Sequence, residues 1–432
     1  MARLVIRRVG ERDVCEVGFI DLDSRTFSYA ESYRESVARP PLSLSLPLRE
    51  EPYPEGEFRP YFEGLLPDGD ARRALAAALA VREGDYLSML GSSAVDCVGD
   101  VAISPDGDAA DFSQTDYVSV SEEEIGTFFA DDASLSKRNV KDRLSLAGAQ
   151  AKTALAHVPG TPWNEGWLRP VAGAASTHIL KAGQSVRIPE LEYVCMRAAR
   201  ACGIDVPNVG LLDVGRGRLV ICVERFDRAV SCDSKTDNET SQLHVRRLHQ
   251  EDFAQAMGIM PGSKYVELSP STVEAICGLV RKVSNRPLVD VISFLRLVCF
   301  DYLVGNCDNH LKNLSLLHRE GDRSVSLAPA YDIVPTAFFE RYSREMGMRI
   351  GSSSLIDDVT PDDFRGLASS CGVKVRLLGR VCADLVDRVV PALLDAARDL
   401  PPDLDFVGYS AEDLARDVEP RLSVLARFAR TS

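Results

Sequence analysis

Between Gly305 and Leu317 the sequence reads GNCDNHLKNLSLL, and the spacing of its polar groups can do chemistry. Asp308 and Asn313 stand five residues apart, with His310 and Lys312 between them. A carboxylate can take the proton of a hydroxyl, and an amide oxygen can help hold magnesium, which prefers such hard oxygen ligands. Further along, LAPAYDIVPT places Tyr331 and Asp332 between a strand-like run and a turn, so a second carboxylate is available as a metal ligand. Lys181 closes the run STHILKA, where an ammonium could grip phosphate oxygens. SLAGAQAKTAL, 145–155, is a turn of small residues entering a strand, and its backbone amides could cradle a phosphate. These are parts for phosphoryl transfer, which depends on positioning and on offsetting charge.

The elements that must position these groups are legible as periodicities. VGFIDLDSRTFSYA alternates as a strand does, and PPLSLSLPL repeats Leu at every second position, which predicts a half-buried strand. DARRALAAALAV predicts a helix opening near Asp70, and SEEEIGTFF a capped helix with Glu in its first turn. SPDGDAADFSQTD, 104–116, predicts a solvated boundary loop. KTALAHV, STHILKA and RLVICVERF predict strands, and PELEYVCMRAARACGI between the last two predicts an amphipathic helix that carries Glu192. A polar loop is expected over 231–242. Beyond 250 the helical patterns FAQAMGI, VEAICGLVRKV, VISFLRLVCFDYLV and DLARDVEPRLSVLARFA dominate. A strand-rich half followed by a helix-rich half, with the reactive residues near the join, suggests two lobes around a cleft.

Bulk properties narrow the classes. The chain has 432 residues, 45% hydrophobic and 26% charged, which is globular composition for two to four domains. No apolar run approaches the roughly 18 residues a membrane-spanning helix needs, and the N-terminal MARLVIRRVGERDV lacks the apolar stretch of a secretory signal. Eleven scattered Cys without a CxxC pair fit a reducing compartment, so a soluble cytoplasmic protein is expected. The net charge of −14 speaks against a general nucleic-acid coat, so contact with DNA would be local or made through a partner.

Taken singly, each feature also fits ordinary structure: a solvated loop, a tight turn, a surface lysine, a turn aspartate. Their order adds what none has alone. A small-residue loop, Lys181, the helical Glu192 that could pair with it, a hinge-like VICVERFDR at 220–228, the Asp308–Asn313 pair and Asp332 follow one another as in protein kinases. There the first Asp accepts the substrate proton and the Asn and second Asp hold magnesium. The loop is not a Walker A motif, because GxxxxGK[ST] is absent.

On these residues the chain resembles the HipA family, the kinase toxins of HipBA toxin–antitoxin systems. The stretches that carry the resemblance are PLSLSLPL, YFEGLLPDGDARRALA, SLAGAQAKTAL, STHILK, ELEYVCMRAARACGIDVPNVGLL, VERFDR, LHQEDFAQAMGI, DYLVGNCDNHLKNLSLL and APAYDIVPT. The resemblance implies an α+β, protein-kinase-like two-lobed fold with a mixed β/α N-lobe, an all-helical C-lobe and an N-terminal β-rich subdomain. It implies 1–120 as that subdomain, 121–228 as the N-lobe and 229–432 as the helical lobe. It further implies a serine/threonine kinase using ATP and Mg2+, with Asp308 as proton acceptor and Asn313 and Asp332 on the metal. ATP would be held by Ala147, Gly148, Ala149, Gln150, Ala151, Lys152, Lys181, the hinge residues Glu224, Arg225 and Phe226, and His310, Lys312, Asn313, Tyr331 and Asp332. Ser145 falls where family members autophosphorylate and so shut the kinase down. The implied partners are a HipB-like helix-turn-helix antitoxin, operator DNA mainly through that antitoxin, and a protein substrate such as an aminoacyl-tRNA synthetase. Ala151 stands where the family commonly has Glu, and 89–101 and 231–242 look extended. A nucleotide-gated corepressor with little kinase activity and a small-molecule phosphotransferase stay open as other functions.

Overall fold

The structure is a computed structural model that describes residues 2–10, 14–36, 39–93, 96–108, 116–130, 132–142, 144–147, 152–171, 173–183, 188–215, 218–232, 243–318, 324–400 and 410–432. The chain divides into two compact units. One comprises Met1–Gln184, Gly210–Ser263 and Leu317–Arg323; the other comprises Ser185–Val209, Lys264–Leu316 and Ser324–Ser432.

The first unit is built on two large sheets, with Arg228–Cys232 and Leu243–Arg247 forming a smaller two-stranded one. In the N-terminal sheet β1 (Arg3–Val9), β2 (Val14–Asp21), β3 (Thr26–Tyr29), β4 (Tyr53–Pro54) and β5 (Val101–Pro105) lie in the order β4-β3-β2-β1-β5. The alternation in VGFIDLDSRTFSYA therefore becomes the hairpin of β2 and β3, paired from Gly18 with Tyr29 to Asp21 with Thr26. Its inward residues meet the helix Glu55–Gly64 in an aromatic cluster of Phe27, Tyr29, Tyr53, Phe58 and Phe62. The helix expected near Asp70 runs Gly69–Leu79 and stops at Ala80, whose φ of 55° is left-handed. The second sheet has β6 (Asp116–Ser119), β7 (Lys152–His157), β8 (Trp167–Val171), β9 (His178–Ala182), β10 (Val209–Asp213) and β11 (Leu219–Glu224), in the order β10-β11-β9-β7-β8-β6. The helix Glu122–Phe128 opens with the expected capping box between Ser121 and Glu124.

PPLSLSLPL is not a strand. Leu42 and Leu46 are buried, but the segment is a turn closed by a single bridge between Ser43 and Leu46. The reason is a buried carboxylate 207 residues away. Glu251 accepts the Leu44 N–H at 3.1 Å and the Ser43 hydroxyl, while Ser45 Oγ donates to the Gln255 carbonyl at 2.7 Å. Prolines 40, 41 and 47 remove ladder donors on both sides. A turn wrapped on an acid has the same leucine spacing as a half-buried strand.

The second unit is mainly helical but includes the strands Val325–Leu327, Glu345–Ile350 and Ser353–Leu355, so the lobe expected over 229–432 is not all-helical. Its main elements are Ile188–Ala201, Thr272–Val283, Pro287–Val304, Pro361–Ser370, Val375–Ala397 and Ala411–Arg430. Val375–Ala397 packs on both Ala411–Arg430 and Ile188–Ala201, so the helix that carries Glu192 belongs to this unit. FAQAMGI, in the first unit, forms a single helical turn, Phe253–Ala256, capped by Asp252 and Gln255. Of the expected loops, 109–115 and 233–242 lie outside the described residues. Among the described residues no helix is long and apolar enough to cross a membrane.

Candidate functional site

In the helical unit the loop after Pro287–Val304 gathers the first half of the expected site. The helix ends at Gly305, whose φ of 81° and whose N–H bond to the Asp301 carbonyl at 2.9 Å turn the chain sharply. Asp301, one turn earlier, is buried and accepts Asn306 Nδ2 at 2.9 Å on one oxygen and Asn309 Nδ2 on the other. Asn306 Oδ1 then accepts the Asp308 N–H at 3.2 Å. Asn313 Nδ2 donates to the Asp308 carbonyl at 2.9 Å, which leaves the Asn313 Oδ1 as an acceptor. The strand Glu345–Ile350 passes so close that a Cβ at Gly347 would lie 2.6 Å from the Asn309 carbonyl oxygen. The loop is thus clamped on its backbone and presents the Asp308 carboxylate partly exposed.

Around that carboxylate, Tyr265 donates its hydroxyl to Asp308 Oδ1 and sets its ring edge-on to His310 at 4.9 Å. Burial pushes the Asp308 carboxyl up; the Asp332 charge adds to the rise, and the Tyr265 hydrogen bond and Lys264 oppose it. His310 caps the short turn Leu311–Asn313 by accepting the Lys312 N–H at 3.3 Å, and burial brings its imidazole down to about 3. It is a neutral structural acceptor here. Tyr331 donates to the Lys312 carbonyl at 2.9 Å and lies 2.7 Å from Ser315 Oγ, which ties the segment before Asp332 to the loop. Asp332 has φ of 59°, a left-handed conformation uncommon outside glycine, and such outliers cluster at functional sites.

These groups fit magnesium by donor chemistry. The Asn313 amide oxygen and the Asp332 carboxylate are hard ligands, and a cation near Asp332 would relieve its repulsion with Asp308. Among the described residues no cluster of three or more His, Cys, Asp or Glu could hold a metal alone. A carboxylate and an amide that leave room for phosphate oxygens is the way magnesium is commonly bound.

The strand-rich unit carries the second half. β7 and β9 pair antiparallel with Lys152 directly opposite Lys181, so both side chains leave one face of the sheet. Lys152 Nζ donates to the Ala147 carbonyl at 2.7 Å, folding the described edge of the small-residue loop toward the strand. Gly148, Ala149, Gln150 and Ala151 lie outside the described residues. Ser145 is 1% exposed and donates to the Leu65 carbonyl at 2.8 Å.

At the end of β11, Glu224 pairs with His178 of β9, and Glu224 and Phe226 are half-buried. Arg225 is committed to structure. Its N–H donates to the Thr177 carbonyl at 2.8 Å, and its guanidinium bonds Asp227, Ser176 Oγ and the Cys97 carbonyl. Arg228 joins the same buried network through Asp96 at 2.9 Å and the Gly99 carbonyl at 2.7 Å. VERFDR thus fastens the 96–99 segment to the second sheet.

Sequence reasoning missed Asp301, Asn306, Asn309, Tyr265 and Asp96. One signal was available for the first: Asp301 and Arg296 are the charged residues in the otherwise largely apolar VISFLRLVCFDYLV.

The fold has a counterpart among solved structures. The HipA chain in the Shewanella oneidensis complex of HipA, HipB and operator DNA is similar with a TM-score of 0.79 at 23% identity, covering 99% of this chain and 100% of that one. The fold is accordingly α+β and protein-kinase-like, with an N-terminal β-rich subdomain. Family models described as the HipA N-terminal domain and the HipA-like C-terminal domain match residues 11–104 and 144–393. In sequence, Y4mE of Sinorhizobium fredii is 34% identical over 90% of this chain and 91% of its own length. The serine/threonine-protein kinase toxin HipA of Shewanella oneidensis is 26% identical over 94% of each chain. The chain belongs to the HipA family.

Proposed function

We propose that this chain is an ATP- and Mg2+-dependent serine/threonine-protein kinase and the toxin of a toxin–antitoxin pair. What supports it most is the Asp308–Asn313 loop, clamped on its backbone while its carboxylate and amide oxygens remain as acceptors, beside a left-handed Asp332. Asp308 orients the acceptor hydroxyl and takes its proton. Asn313 and Asp332 hold magnesium, which offsets charge on the phosphates when bound. Lys152, Lys181 and the 147–151 loop bind phosphate oxygens, with Tyr331, Lys312 and His310 shaping the floor of the site. Glu224 and Phe226 offer backbone groups to the base, whereas Arg225 serves by anchoring them. Ser145 is the autophosphorylation site. The partner is a HipB-like antitoxin that brings operator DNA, in keeping with the composition of the Shewanella complex. The acceptor is a protein, for which an aminoacyl-tRNA synthetase is the proposed example.

Asp308→Asn tests the reading. With labelled ATP, the wild-type chain is expected to label itself at Ser145. The variant is expected to bind ATP within about twofold and to lose transfer by at least about 10³, the scale of losing a group that acts on the reacting atoms. Undiminished labelling in the variant would overturn the assignment.

A further inference from the structure

A carboxylate buried without a cation beside it is costly unless something requires it. Asp301 is such a group. It is 4% exposed on the last turns of Pro287–Val304, and its hydrogen-bond partners are amide donors, not cations. Asn306 has its orientation set at both ends, because its Oδ1 receives the Asp308 N–H and its Nδ2 must therefore donate. Asn309 also donates. The two donors approach different oxygens of residue 301, and both oxygens accept in that geometry only in an ionised carboxylate; an amide or a protonated acid would turn a donor toward one of them. Among the described residues Cys195 on Ile188–Ala201 feels its charge, the thiol being pushed up by burial and then by the Asp301 and Glu192 charges. Burial drives the Asp301 carboxyl up to about 7, while the two asparagines pull it down.

We infer that Asp301 is a positioning residue of the phosphoryl-transfer site: through Asn306 its carboxylate fixes the backbone from which Asp308 reaches the acceptor. This rests on the kinase reading of Asp308, although the clamp itself does not. A residue that only held the fold together would lower stability when replaced. Asp301 differs, because its ionised form opposes folding while its hydrogen bonds order one loop.

The test is Asp301→Asn in the full chain, with Asp301→Asn/Asn306→Asp beside it. The double variant exchanges the two side-chain types. The amide now at position 301 donates to the carboxylate now at 306 and accepts from Asn309. That carboxylate still receives the Asp308 N–H, so every bond is remade with the charge moved. For the single variant we expect self-labelling to slow about 10- to 100-fold, the effect of a reacting group displaced by a fraction of an ångström to an ångström. ATP affinity should stay within about twofold, as uniform ground-state binding is untouched. The thermal midpoint should change little, because relief of the buried charge opposes the cost of the donor left unmet. The fall in rate as pH drops through about 7 should disappear. The double variant should recover most of the rate. Hydrogen exchange in 305–310 should quicken in the single variant, return in the double, and be unaffected by Asp308→Asn. A falling midpoint with no change in exchange, or a double variant no better than the single, overturns the inference. If wild type transfers no phosphate, the kinase reading falls instead, and the exchange result still decides whether Asp301 holds the loop.

Discussion

If Ser145 is the autophosphorylation site proposed above, its phosphorylation has to begin by taking the residue out of its seat. Its hydroxyl bonds the Leu65 carbonyl, its N–H the Asp96 carbonyl at 3.3 Å, and its neighbours Leu144 and Leu146 are 6% and 5% exposed. Those leucines form a small core with Ala154 and Ile179. Exposing both costs about 1.5–3 kcal/mol each, and losing the hydroxyl bond about 1 kcal/mol. The open form therefore lies about 4–7 kcal/mol above the closed one, a population of roughly 10⁻³ to 10⁻⁵ at about 1.4 kcal/mol per decade. Autophosphorylation should accordingly be slow, limited by opening. Once made, the phosphate dianion cannot return to a seat that offers it a carbonyl oxygen, so the loop stays displaced. Leu146→Ala is the informative perturbation. It weakens the closed form by about 2 kcal/mol and should speed labelling at Ser145 by roughly 30-fold, followed by intact mass and peptide mapping over time with ATP. If Leu146→Ala lowers the unfolding midpoint yet labels at the wild-type rate or slower, the seat does not govern the reaction and the reasoning fails.

His178 on β9 packs edge-on to Trp163 and Trp167, and burial, with the charge of His157 second, holds its imidazole down to about 3. An unfolded chain binds that proton below about 6.5 and the folded one does not until far lower, so stability falls with pH from about 6.5 by up to about 1.4 kcal/mol per unit. Urea unfolding at pH 7.5 and 5.5 should show the loss, and His178→Phe should reduce its slope; an unchanged slope would refute the assignment. Asp96→Ala leaves Arg225, Arg228 and Arg247 short of a carboxylate at 3.7, 2.9 and 3.7 Å and strips two bonds from Ser176. It should cost about 3–5 kcal/mol, read from the urea midpoint.

The reactive residues were legible because they break a local pattern. Polar side chains between DYLVG and LSLL stand out against apolar flanks, and Lys181 is the charged residue in the strand-like run STHILKA. What braces them was not legible, since its partners are distant in sequence. The turn at 42–46 owes its shape to Glu251, and a leucine at every second position carries no trace of that acid. Arg225 reads as part of a hinge, and only the register of β9 and β11 with the 96–99 segment shows its guanidinium to be consumed. Lys152 reads as the end of a phosphate loop, yet its position opposite Lys181 emerges only when strands 152–157 and 178–182 pair. Asp301 looks like a stray charge on an apolar helix until two asparagines fold back on it.

How the charges are paired separates structure from chemistry in this molecule. In the buried network of Asp96, Asp227, Arg225 and Arg228 each charge meets its opposite within 3 Å, which holds the N-terminal segment to the second sheet and asks for no ligand. At the residues assigned to nucleotide and metal, like charges also adjoin one another. Lys152 faces Lys181, Asp332 raises Asp308, and Asp332 holds a backbone conformation that disfavours side chains. Each is a modest cost to the isolated fold, from a few tenths to about 2 kcal/mol. A polyphosphate beside the lysines and a divalent cation beside the aspartates would turn both like-charge pairs into attractions.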